Sequence, residues 1–286
     1  MRSPFPTHRP DLRYVLALAV LVVAGCGTPR AGDRSAVGGP QGRVPQFVVE
    51  CELSHFAPDD PIVFPDQPGA SHVHMFFGST VVAAGSTYDE LVAGDTSCDQ
   101  RLDTASYWAP ALLAEDRLVE PTGARAYYRP GPGIDPAVVQ PYPPGLMMIA
   151  GDSTASEPQP PERVGWSCGT GQDRAPVPGR CEPGRPLTMT VLFPDCWNGT
   201  AIDSASHVDH VAYSDDGRCP DRHPVAIPQL LLAIEYPFAG DTDVLSLTSG
   251  PLETVHADFW NAWDQDKLET EVALCINRDV VCGVAG

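Results

Sequence analysis

The chain has 286 residues, with 18 Lys plus Arg against 37 Asp plus Glu and a formal charge of −19. That acidity argues against a nucleic-acid binder, which needs a basic footprint to neutralise phosphates, and against electrostatic docking on anionic lipid. Gly (26) and Pro (31) make up about one residue in five, below the ~25–30% of low-complexity chains, and a 43% hydrophobic content suffices for a core.

The N-terminus reads as an export signal. Arg2, Arg9 and Arg13 precede an apolar run of 12 residues, Tyr14 to Gly25. That is too short to span ~30 Å of hydrocarbon as a helix, so residues 1–25 form a secretory signal. The run ends Val23-Ala24-Gly25-Cys26, which resembles a bacterial lipobox. Cys26 is then the acylated first residue of the mature protein and its lipid anchor, which places the protein outside the cytoplasm on the bacterial cell membrane. Residues 26–45 are small, polar and Gly/Pro-rich, as in a flexible tether. Residues 46–286 are expected to form a single domain.

Phe47–Cys51 is the first strand candidate, and Asp59 to Gly69 is a Pro-interrupted loop. Phe76-Phe77 closes a strand at Gly78. Ser86 through Ala93 is a short helix with Ser86 as its cap and Asp89 completing the box. Residues 129–145 and 153–163 are Pro-rich loops; Leu187–Phe193 and Leu230–Ile234 are strand runs. Asp264–Ile276 is the strongest helix, with Leu268, Val272 and Ile276 on one face. Asp outnumbers Glu and turn formers abound. The fold class expected is mainly β, a loop-rich single domain with few short helices and a β-sandwich-like core.

Apart from Cys26, eight Cys remain: Cys51, Cys98, Cys168, Cys181, Cys196, Cys219, Cys275 and Cys282. An even count in an exported chain points to four disulfides. Spacing does not decide the pairing; sequential pairs, Cys51–Cys98, Cys168–Cys181, Cys196–Cys219 and Cys275–Cys282, are the expectation. No CxxC occurs, which argues against a zinc knuckle or a thioredoxin-like redox site.

The chemistry-bearing residues are histidines. Ser71-His72-Val73-His74 places two imidazoles on one face of a strand, since they sit at i and i+2. His207 and His210 lie three apart and face one another on a helical turn. His256 and Asp258 are again at i and i+2. Two readings compete. In one, His72, His74, His207, His210, His256 and Asp258 form an acid–base site, with a divalent transition metal on His72, His74, His207 and His210. In the other, these rings are buried hydrogen-bond partners of loop backbone. Tyr107, Trp108, Trp197 and Trp263 lie beside the same segments and are the candidate sugar-stacking faces. No HExxH or GxxxxGK[ST] motif occurs, which argues against zincin and NTPase chemistry. A two-carboxylate glycosidase stays open, with Asp195, Asp203, Asp209, Asp258 and Asp264 as its candidates.

The succession SHVHMFFG, TSCDQRLDTASYWAPAL, PPGLMMIAGD, FPDCWNG, SHVDHVAYSDDGRCPDRHPVAIP and HADFWNAWD resembles one family. It is the secreted domain-of-unknown-function family numbered nineteen ninety-six, found in filamentous fungi and actinobacteria, and the resemblance runs from about Asp59 to Cys275. By position, its signature residues here include His72, His74, Asp103, Tyr107, Trp108, Asp195, Trp197, His207, His210, His223, His256, Asp258 and Trp263. Met147 stands where that family usually has Arg, Asn198 where it has Asp, and Ala262 where it has Gly. The resemblance implies compartment and architecture but no reaction; by association it suggests extracellular polysaccharide.

The leading expectation is therefore a lipid-anchored domain that binds or acts on extracellular or cell-envelope polysaccharide, as a glycan-active hydrolase or lyase if catalytic. A non-catalytic envelope module and an extracytoplasmic metal-binding protein are the alternatives.

Overall fold

The computed structural model describes residues 43–169 and 173–283. The signal at 1–25, the anchor Cys26 and the tether as far as residue 42 lie outside the described residues. No helix among them is long and apolar enough to cross a membrane.

Two five-stranded antiparallel sheets dominate. In spatial order the first holds Phe47–Cys51, Gly123–Arg129, Gln229–Tyr236, Leu187–Leu192 and Val164–Cys168. The second holds Leu53–Ala57, His74–Gly78, Ser106–Pro110, His256–Trp260 and Met147–Gly151. Period-two alternation sends Ala126, Tyr128, Leu232 and Ile234 inward from the first sheet. Met75, Phe77, Ala109 and Phe259 go inward from the second, and all join one apolar core. The mainly β expectation holds.

The second sheet is unusual in that its three central strands are buried on both sides. Every residue of His74–Gly78, Ser106–Pro110 and His256–Trp260 is buried. The reason is a second apolar cluster on the outer face, where Ile62 and Val82 from the covering loops and Leu91 from a short helix pack on Phe76, Trp108 and Trp260.

A buried polar chain joins the sheets. The Tyr107 hydroxyl donates to Asp103 Oδ2 at 2.6 Å and is hydrogen-bonded to the Tyr128 hydroxyl on the opposite sheet, which accepts from Trp263 Nε1 at 3.0 Å. Phe47 stacks on Tyr128 at 4.5 Å, closing this part of the core. The four disulfides pair sequentially: Cys51–Cys98, Cys168–Cys181, Cys196–Cys219 and Cys275–Cys282. They fit an oxidising compartment, and each adds about 2–4 kcal/mol by restricting the unfolded chain.

The helices differ in detail from expectation. The first spans Tyr88–Ala93 and is capped by Thr87, not Ser86, with Glu90 rather than Asp89 reaching back to the Thr87 N–H at 2.9 Å. Glu has the extra methylene that reach requires, and Ser86 instead holds the preceding turn by accepting from Ala83 N. The last helix is α over Gln265–Glu271 and widens to a π turn over Val272–Ile276, with Leu268, Val272 and Ile276 all buried.

Burial pushes the Asp103 carboxyl from 3.8 up to about 8, against the opposing hydrogen bonds of Tyr107 and Ala105. The folded protein thus keeps a proton that the unfolded chain releases. The stability tied to this proton is full below 3.8 and lost as pH rises to about 8. In thermal melts stepped across that interval, wild type is expected to lose midpoint temperature relative to Asp103→Asn, which cannot titrate. Parallel curves would contradict this.

Candidate functional site

The doubly buried sheet carries the histidines. His74 and Phe76 alternate with Met75 and Phe77, so His74 faces the covered outer side. His256 and Asp258 do the same two strands away, across Ser106–Pro110. The loop over them is stitched down by two adjacent carboxylates. Asp59 accepts from Gly69 N at 2.9 Å and Ala84 N at 3.2 Å, and Asp60 Oδ1 accepts from Ile62 N and Val63 N, each at 3.0 Å. This loop delivers His72 to the sheet. Ring centroids lie 4.2 Å apart for His72–His74, 5.1 Å for His72–His256 and 5.7 Å for His74–His256.

The ring nitrogens of these three histidines lie within 4.8 Å of one another, and a carboxylate oxygen of Asp60, one of Asp258 and a nitrogen of His74 meet the same limit. His74 is common to both groups, so five polar side chains form one connected cluster. Carbonyls fix two tautomers. His74 Nδ1 must donate to the Asp59 carbonyl at 2.8 Å, and His256 Nδ1 to the Thr254 carbonyl at 2.9 Å. Each proton on Nδ1 leaves the Nε2 lone pair free, the arrangement seen around metal-ligating imidazoles.

Burial keeps the rings neutral. It lowers His72 to about 4, aided by His256, and His74 well below the usual range, aided by His72 and His256. His256 is likewise lowered by burial. Asp258 is pushed well above the carboxylate range by burial and then by Asp60, and Asp60 is raised by burial against the N–H groups of Val63 and Ile62.

What the cluster lacks is a partner. His72 Nε2, His74 Nε2 and both oxygens of Asp258 are buried with no hydrogen bond, as are the indole N–H groups of Trp108 and Trp260. Unpaired buried polar atoms cost about 1–3 kcal/mol each. With its proton on Nδ1, His74 can only accept at Nε2, and no hydrogen bond from Asp258 or either indole reaches it. A cation would satisfy several at once.

The other histidines lie elsewhere. Residues 206–210 are turns rather than helix, so the expected facing of His207 and His210 does not form. His207 pairs with Asp203 at 3.0 Å from a positive-φ backbone, and bears on the cluster only through its field on Asp60. His210 has both nitrogens occupied, on Ser204 Oγ at 3.1 Å and the Met147 carbonyl at 2.6 Å. His223 Nε2 meets the Asp209 carbonyl at 3.0 Å. The four-histidine ligand set is therefore corrected: His72 and His74 join His256, not His207 and His210.

The stacking residues are corrected as well. Tyr107, Trp108 and Trp263 are at most 1% exposed and present no face to a sugar. Trp197 is half-buried, its Nε1 donating to the Ala201 carbonyl at 2.6 Å. Asp195, a glycosidase candidate, is held by Ser214 at 2.5 and 2.7 Å against Gly131. Asp60 was missed: before a proline in a turn-rich loop, it looks like a turn acid, and nothing local marks it as facing a strand far along the chain.

A family model described as "Domain of unknown function (DUF1996)" matches residues 60–263, a span that contains all five cluster residues. No curated protein and no solved structure matches the chain.

The two kinds of histidine make different predictions. His210→Ala strands the buried Met147 carbonyl and is expected to cost about 1–3 kcal/mol in denaturant titration. An unchanged midpoint and slope would show that His210 does not hold that carbonyl.

Proposed function

The chain belongs to the family described as Domain of unknown function (DUF1996), and we propose from its buried cluster that it is an exported transition-metal protein. The ion is held by His72, His74 and His256, with Asp60 and Asp258 supplying negative charge. The observation that carries this reading is the convergence of three neutral imidazoles and two carboxylates, of which His72 Nε2, His74 Nε2 and both oxygens of Asp258 are buried without a hydrogen bond. Imidazole with carboxylate suits zinc, copper or nickel, and three imidazoles leave a position open for water or a bound group. Asp258 beside that position is the group that would take a proton from bound water. An ion there also pins the loop carrying Asp60 and His72 to the strands carrying His74, His256 and Asp258.

The setting proposed is extracytoplasmic, with the domain tethered through an acylated Cys26. The lipobox-like Val23-Ala24-Gly25-Cys26 and the four disulfides support it. Polysaccharide binding is a second reading, and what favours it is a polar groove on the opposite sheet rather than these histidines.

The test is elemental analysis of the full chain, purified untagged in detergent and equilibrated with Zn²⁺ or Cu²⁺ before desalting. Wild type is expected to retain about one ion per chain. The His72→Gln, His256→Gln double variant should retain almost none, with unchanged far-UV circular dichroism and intact disulfides. Metal-free wild type, or equal retention by the variant, would overturn the proposal. Chelation of the loaded protein is further expected to lower its thermal midpoint, since an ion bound only to the folded state stabilises it.

A further inference from the structure

The outer face of the first sheet is half-exposed over Gly123–Arg129 and Gln229–Tyr236, whereas Leu187–Leu192 is buried on both faces. A groove of about 720 Å³ lies across the middle strands of this sheet, within the ~300–1,000 Å³ range of ligand sites. Alternation sets its floor. Arg125, Tyr127 and Arg129 point outward from one strand, Leu231 and Ala233 from the next, and Thr188 and Thr190 from the third. Arg125, Ala233, Thr190 and Gly165 form one cross-strand row. The small Ala233 lines the groove, and Gly165 makes room for Arg174: a Cβ at Gly165 would meet the Arg174 Cβ at 2.9 Å.

The cations here are not equivalent. Arg125 is neutralised, its Nε on Glu50 at 2.8 Å and its Nη1 on Glu235 at 2.5 Å. Arg129 and Arg174 form no ion pair among the described residues, and Glu162 acts on Arg174 only through its field. Arg129 reaches only Gln229 Oε1 at 3.5 Å, and Arg174 Nη1 is buried with no hydrogen bond. The two repel one another, and burial together with Arg174 holds Arg129 down to about 10, still charged at neutral pH. In a chain of net charge −19, two unpaired guanidinium groups sharing one concavity await an anion.

We infer that this groove binds a uronic-acid oligosaccharide, with sugar carboxylates on Arg129 and Arg174. The residues favour this class over an acidic peptide. The floor is formed by central strands whose backbone is already paired, so no strand can be added to it. Side-chain pockets are lacking too, since Leu231 and Ala233 are its aliphatic floor residues. The half-buried ring of Tyr127 suits the face of a sugar ring, and a guanidinium fork matches a carboxylate in two-point contact; Thr188 and Thr190 lie almost wholly buried beneath, with the Thr188 hydroxyl donating to the Gly169 carbonyl at 3.0 Å. The inference is independent of the metal reading, because the groove lies on the other sheet.

The test is calorimetric titration of the full chain in detergent at low salt with oligogalacturonate. Its methyl ester keeps the sugar frame without the charge, and polyglutamate supplies an acidic peptide. Saturable binding of oligogalacturonate is expected, weakened at least about tenfold in Arg129→Gln, Arg174→Gln and at least about tenfold for the ester. The His72→Gln, His256→Gln variant should bind as wild type does, which separates this outcome from failure of the metal site. Since Arg129→Gln removes a repulsion, the double variant is expected to fold, checked by an unchanged thermal midpoint; should it unfold, Tyr127→Leu with Arg129→Lys reads the same loss. No binding, equal binding of the ester, equal binding of polyglutamate, or binding untouched by the groove variants would each overturn the inference.

Discussion

Burial of the second sheet on both faces is the constraint from which the site follows. A strand with one wet face can carry histidines and carboxylates there at no cost. Here Ile62, Val82 and Leu91 close that face, and His74, His256 and Asp258 have no water to turn to. Carbonyls of Asp59 and Thr254 take one proton from each of two rings and orient what is left. The remaining lone pairs and carboxylate oxygens point at one another. Interiors seldom retain such a set without a reason, because each unpaired atom costs a sizeable fraction of a net stability of about 5–15 kcal/mol. A bound cation turns that liability into a cross-link between loop and sheet.

The two sheets divide the work. Their inner faces build a common core, crossed by the Asp103–Tyr107–Tyr128–Trp263 chain, which aligns one sheet on the other. Their outer faces diverge: one is capped by apolar loops and a short helix and encloses histidines, the other is half-exposed over two strands and carries arginines. Disulfides sit around this frame, fastening the loops that the strands do not hold.

Much of this was legible in the amino-acid order. The Phe47–Cys51 strand, the buried run at Leu187 and the Leu268–Val272–Ile276 stripe are local periodicity, which a sequence displays directly. The pairing of His256 with Asp258 is also local, because i and i+2 share a strand face, and His72 stays beside His74 although it lies in the loop just before the strand that carries His74. Their meeting is not. It depends on Ser106–Pro110 separating the two strands and on a loop folding back over them, which is tertiary information. For the same reason Asp60 was invisible, and His210 looked like a ligand although the Met147 carbonyl claims its ring. Tyr107 and Trp263 misled in the opposite direction. An aromatic beside an acid reads as a sugar platform, yet their polar atoms serve an internal chain.

The most direct test of the central claim is anomalous diffraction at the zinc edge from crystals of the protein soaked in Zn²⁺. The account expects one dominant peak between the ring nitrogens of His72, His74 and His256, at about 2.0–2.1 Å from each. Peaks confined to surface carboxylates, with the three imidazoles unmoved and no density between them, would contradict it.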